Sequence, residues 1–83
     1  MAIIVYSTPN CYYCIQLKDF FKKNNIKFQD IDVSKSKEKA KEMIKKSGQM
    51  GVPVTDINGK IIIGFDKEAI KEELNIKQTS VRD

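Results

Sequence analysis

The chain has only two cysteines, and both fall in Cys11-Tyr12-Tyr13-Cys14, where one patterned segment gives way to another. Ahead of them runs Ala2-Ile3-Ile4-Val5-Tyr6, uncharged and rich in β-branched residues, which reads as a buried strand over 3–6. Behind them the pattern turns helical, from Tyr12 to about Asn24. Cys14, Leu17, Phe20 and Phe21 share an inner face, with Lys18, Lys22 and Lys23 turned outward. Positions three apart share a helix face, so the sulfur of Cys14 lies under that of Cys11. A thiol at the opening of a helix also sits among unpaired N–H groups at the positive end of the dipole, which favours the thiolate. A strand, a short loop and a helix opening with Cys-x-x-Cys form the layout of a thiol–disulfide redox site. Cys11 is then the exposed nucleophile and Cys14 the buried resolving thiol.

The remaining chain alternates in the same manner. Residues 26–33 alternate loosely, as a second strand would. Ser34 or Ser36 can cap a helix running to about Lys46, with Ala40, Met43 and Ile44 inward and Gly48 as its stop. Residues 54–57 and 60–63 are short strands joined by Asn58-Gly59, a strong hairpin signal. A last helix over 66–74 has Asp66 as its N-cap and Glu68 in its first turn. Residues 1–76 therefore form one domain, and 77–83 a polar, aperiodic tail. The order is β-α-β-α-β-β-α, with the first two strands parallel and the last two an antiparallel hairpin of the same sheet.

Composition narrows the function. At 83 residues there is room for one small core, burying roughly 60% of the unfolded surface. The net charge of +4 gathers in residues 35–46, where Glu38 and Glu42 interleave with the lysines. That reads as a solvated helix face, and without interleaved aromatics it argues against a nucleic-acid partner. No run approaches the ~18 apolar residues of a membrane span, and neither a basic n-region nor a cleavage site is visible. The expectation is a cytoplasmic protein with no membrane partner, where a lone cysteine pair is redox-active rather than structural. Tetrahedral zinc takes four ligands, and two cysteines without a histidine cannot supply them in one chain, so no metal is expected.

Two further motifs complete a pattern: Val52-Pro53 before the third strand and Gly64-Phe65-Asp66 before the last helix. With the early Cys-x-x-Cys, they make residues 3–75 resemble a glutaredoxin, most closely the small bacterial glutaredoxin-like proteins. The resemblance implies an α/β thioredoxin fold, a four-stranded mixed sheet flanked by three helices. It also implies a monomeric, glutathione-dependent disulfide oxidoreductase that acts on protein–glutathione mixed disulfides and protein disulfides. Glutathione is the implied co-substrate. By that pattern Cys11 is the nucleophile and Cys14 its resolving partner, and Tyr13 packs beside the bound tripeptide. Val52 precedes a cis Pro53, and its backbone pairs with the cysteinyl part of glutathione. Gln49 lies near the glycine carboxylate, and Phe65, Asp66 and Lys67 receive the γ-glutamyl end.

The chain departs from the family pattern in four places. Tyr12 replaces the proline of Cys-Pro-Tyr-Cys and restores an N–H near the thiolate. Thr8 stands where a lysine helps bind a glutathione carboxylate, Gly51 replaces the threonine before Val-Pro, and Ile63-Gly64 replaces Gly-Gly. The Gly64-Phe65 pairing also resembles the hydrogen donors of ribonucleotide reductase that draw electrons from thioredoxin reductase, which is the alternative function. A zinc- or cluster-bridged binding module is the third reading.

Overall fold

A computed structural model describes residues 2–75; the tail read over 77–83 and the domain end at 76 lie outside them. The elements are β1 (Ile3–Ser7), α1 (Tyr12–Lys23), β2 (Gln29–Asp32), α2 (Lys37–Ser47), β3 (Val54–Ile57), β4 (Lys60–Ile63) and α3 (Lys67–Leu74). The sheet has four strands in the order β2-β1-β3-β4. β1 runs parallel to β2 and antiparallel to β3, and β3 and β4 form the hairpin. The element order is the one read from the sequence, and the architecture is the thioredoxin-like one that the resemblance implied.

Strand alternation divides the core into two faces. Ile3 and Val5 meet Leu17 and Phe21 of α1, Ile70 of α3, and Ile57 and Ile62 of the hairpin. On the opposite face Tyr6 and Val54 meet Met43 of α2. Local chemistry fixes the ends of the elements. The Ser36 hydroxyl accepts from the Lys39 N–H at 3.2 Å to open α2, and Gly48, at φ 75°, closes it. Asn58 and Gly59, both at positive φ, make the hairpin turn, and the Asp56 carboxylate accepts the Gly59 N–H at 2.7 Å.

Two expectations are corrected. The second strand covers 29–32 rather than 26–33, because the exit from α1 claims the preceding residues. Asn25 adopts φ 57°, the Ile26 N–H reaches back to the Phe21 carbonyl at 2.9 Å, and the Asn25 N–H reaches Lys22 at 3.1 Å. Such a Schellman closure commits Ile26 to the helix end, and Ile26 and Phe28 pack on the core without pairing. Ile44, expected inward, is 37% exposed. α2 is rolled so that Glu42 and Lys46, on the other side of Met43, face the sheet and reach Tyr6. The lysine-rich helix is therefore not a wholly solvated face.

Candidate active site

β1 ends at Ser7, and the next residues, Thr8-Pro9-Asn10, carry the chain to Cys11 at the mouth of α1. Cys11 is the N-cap, with extended backbone at φ −107° and ψ 114°. Its sulfur accepts the Cys14 N–H at 3.1 Å, and its carbonyl accepts the Ile15 N–H at 3.1 Å. The sulfur thus takes the place of a capping oxygen and accepts a helix N–H that has no partner within the helix. Both cysteines are free thiols, Cys11 half-buried and Cys14 buried. Burial pushes the Cys14 thiol up to about 12, and its hydrogen bond with Cys11 adds to that. A main-chain hydrogen bond from Thr8 and the charge of Lys18 pull the other way.

Lys18 lies one turn along α1 from Cys14. Its ammonium group pairs with Asp30 of β2 at 2.8 Å, and Asp30 also accepts the buried Ser7 hydroxyl at 2.8 Å. Lys18 was expected outward; the parallel β1–β2 pairing brings Asp30 within its reach.

The third strand enters beside the cysteines. The Val52–Pro53 peptide bond is cis, as the resemblance implied. The Cys11 thiol lies 3.8 Å from the Val52 carbonyl, joining positions 41 residues apart. Pro53 is buried, and its carbonyl accepts the Gly64 N–H at 2.8 Å, which ties the turn after β4 to this loop. Cys11, Cys14, Val52, Pro53 and Gly64 are therefore contiguous. Phe65 is half-buried and packs against the core, whereas Lys67 is exposed. The Phe65 ring sits edge-on to Phe20 at 6.0 Å, and the Lys67 ammonium lies 5.7 Å from the Phe65 ring. Asp66 caps α3, its carboxylate accepting the Ala69 N–H at 3.1 Å.

Tyr12 and Tyr13 stand out from α1, 66% and 60% exposed, with their rings edge to face at 5.2 Å. The resemblance sets Tyr13 alone beside the ligand, yet the two rings stand in contact. Gln49 does not extend into open solvent. Its carboxamide oxygen accepts the Gly51 N–H at 2.7 Å, and its nitrogen donates to the Gly51 carbonyl at 3.0 Å and to the Ser47 hydroxyl at 3.2 Å. Ser47 escaped the sequence reading, since a serine at a helix end carries no signal beyond its position. A cavity of about 550 Å³ lined by Lys18, Lys22, Ile26, Lys27, Phe28 and Asp30 includes none of the predicted site residues. Among the described residues no group of three or more His, Cys, Asp or Glu side chains could hold a metal ion, and no helix is long and apolar enough to cross a membrane.

A family model described as Glutaredoxin matches residues 3–62. A glutaredoxin-like 8.6 kDa protein of the rubredoxin operon of Clostridium pasteurianum is 44% identical over 68 residues, covering 82% of this chain and 91% of the relative. Glutaredoxin 3 of Escherichia coli K12 is 32% identical over 62 residues, 75% of each chain. Among solved structures, a mutant of the thioredoxin-like protein BC3987 superposes with a TM-score of 0.85 at 31% identity, covering 90% of this chain and 96% of the other.

Proposed function

Since this chain belongs to the glutaredoxin family, we propose that it is a glutathione-dependent thiol–disulfide oxidoreductase acting as a cytoplasmic monomer. The observation that carries this reading is Cys11 as a helix N-cap, its sulfur beside the Val52 carbonyl and above a buried Cys14. The Cys11 thiolate attacks the glutathione sulfur of a protein–glutathione mixed disulfide. The S–S bond breaks, a new one forms between Cys11 and glutathione, and the protein thiolate leaves and takes a proton from water. A second glutathione thiolate then attacks the adduct sulfur, releasing glutathione disulfide and restoring Cys11. With a protein disulfide, the Cys11 thiolate breaks the substrate S–S bond and joins one of its sulfurs; Cys14 then loses its proton and attacks Cys11, closing Cys11–Cys14 and expelling the substrate as a dithiol. Two glutathione molecules then reopen that bond.

An extended tripeptide would lie along the main chain of Val52 as one more strand. Tyr13, with Tyr12, would flank it. Its γ-glutamyl end would approach the opening of α3, where Phe65, Asp66 and Lys67 stand. The test is a trap. Cys14→Ser treated with glutathione disulfide should gain one glutathione at Cys11, read by mass spectrometry, and Cys11→Ser should gain none. An unmodified Cys14→Ser protein would remove glutathione from the account.

One observation favours the second reading, a hydrogen donor reduced by thioredoxin reductase. The Gln49 carboxamide is engaged with Gly51, and Thr8 supplies no cation, so the glycine end of glutathione has fewer partners than the family pattern provides. Reduction of the oxidised protein by NADPH and thioredoxin reductase, with glutathione ineffective, would favour that reading.

A further inference from the structure

The carboxamide of Gln49 holds both main-chain polar groups of Gly51, at 2.7 and 3.0 Å, as a neighbouring strand would. Its orientation is fixed, because the Gly51 N–H can only face the oxygen and the Gly51 carbonyl only the nitrogen. The Ser47 hydroxyl, at the last turn of α2, steadies the same nitrogen at 3.2 Å. Met50 is left projecting between the two, 77% exposed.

The glycine at 51 is explained by this side chain and not by its backbone. Gly48, Gly59 and Gly64 take positive φ, whereas Gly51 does not. A Cβ at 51 would instead stand 2.8 Å from the Gln49 oxygen and could be accommodated only by pushing the carboxamide aside. Gly51 is the room the carboxamide occupies.

We propose that Gln49 is a positioning residue, not a ligand for the glycine carboxylate. It clamps Gly51 so that the next residue, Val52, presents its main chain to substrate beside Cys11. The substrate class follows. A site organised in this way reads the extended main chain around the substrate cysteine, so it accepts mixed disulfides lacking the glycine carboxylate nearly as well as those of glutathione. The proposal rests on the disulfide-exchange reading for its assays.

Gln49→Ala, Gly51→Ala and the double variant separate the alternatives. Each would be assayed on mixed disulfides of glutathione and of γ-glutamylcysteine, and on a protein disulfide reduced through the chain by dithiothreitol. Amide hydrogen exchange at residue 51 reads the clamp directly. The clamp predicts that Gln49→Ala loses kcat/KM on all three substrates by about 5- to 20-fold, the effect of one or two hydrogen bonds. Gly51→Ala displaces the carboxamide and should match it, and the double variant should be no worse than either single one. Slow exchange of the residue 51 amide should be lost in every variant.

A loss confined to the glutathione substrate, seen as a raised KM, would make Gln49 a carboxylate ligand and overturn the proposal. Multiplying losses in the double variant, or equal amide exchange in wild type and Gln49→Ala, would overturn it too. If the wild type ignores both small mixed disulfides but reduces the protein disulfide, the glutathione reading fails. The clamp then stands or falls on the protein substrate and the exchange rates.

Discussion

Cys11 and Cys14 share a helical face and little else. Cys11 is reached by solvent and caps the helix, whereas Cys14 is buried with its thiol pushed up to about 12. At neutral pH Cys14 is therefore a protonated thiol. Part of that upward push comes from its hydrogen bond with Cys11 and the charge there, and this part disappears once Cys11 is tied into a mixed disulfide. Burial remains, so deprotonation of Cys14 still limits closure of the disulfide. The rate at which the Cys11 adduct is displaced should rise with pH throughout the range 6 to 9, because the thiolate fraction below a group's pKa grows about tenfold per unit. Stopped-flow release of the leaving thiol measures it, and a plateau near pH 7 would contradict the assignment. The cysteines were the most legible residues of the site, since spacing and flanking pattern sufficed to find them. The carboxamide of Gln49 was not legible. Its partners are the main chain of Gly51 and the hydroxyl of Ser47, and nothing in a sequence marks a side chain that folds back on its own loop.

The elements meet through a polar network beneath α2. Lys46 donates to Asp56 of β3 at 2.7 Å and to the Tyr6 hydroxyl at 2.8 Å, and that hydroxyl donates to Glu42. Burial tends to raise the Asp56 carboxyl, but the bonds from Lys46 and the Gly59 N–H prevail and hold it below its usual value. Burial likewise opposes the Lys46 charge, and the bonds to Asp56 and Tyr6 outweigh it, so its pKa is raised. A depressed carboxylate contributes stability above its unfolded pKa, near 3.9, that is lost as pH falls through the folded value. A raised ammonium contributes stability below its unfolded pKa, near 10.4, that is lost as pH rises through the folded value. The contribution of this pair should be flat between about pH 5 and 9. It should fall at both ends. Lys46→Ala should cost about 1–3 kcal/mol at pH 7, from its bonds to Asp56 and Tyr6, and should flatten the acid limb of a denaturant-midpoint profile. An unchanged midpoint would remove the network as a tie between helix and sheet. This network explains why Ile44 was misread. The lysine–glutamate pattern of α2 looks solvated in isolation, and only β1 and β3 beneath it reveal which flank turns inward. The over-long second strand has a local cause in the same sense, because Asn24-Asn25 marks a helix end without stating that Ile26 belongs to it.

Across the whole molecule, a central antiparallel hairpin partner brings chemistry from both halves of the chain to one edge. β3 lies between β1 and β4, so the loop that precedes it falls beside the loop that follows β1. The order of elements, the parallel first pair and the final hairpin were readable from the apolar runs and the Asn58-Gly59 turn, whereas the place of β3 between β1 and β4 was not. The approach of Val52 to Cys11 was not readable from spacing, because 41 residues separate them and only tertiary pairing closes the gap. Resemblance supplied that expectation, together with the cis bond at Pro53. The central claim is that this geometry performs glutathione-linked exchange at Cys11. Its most direct test is turnover of a small glutathione mixed disulfide by reduced glutathione, followed through glutathione reductase and NADPH. The account predicts turnover that disappears in Cys11→Ser and persists in Cys14→Ser. Absence of turnover by a reduced, folded wild type that is readily recycled by thioredoxin reductase would contradict it.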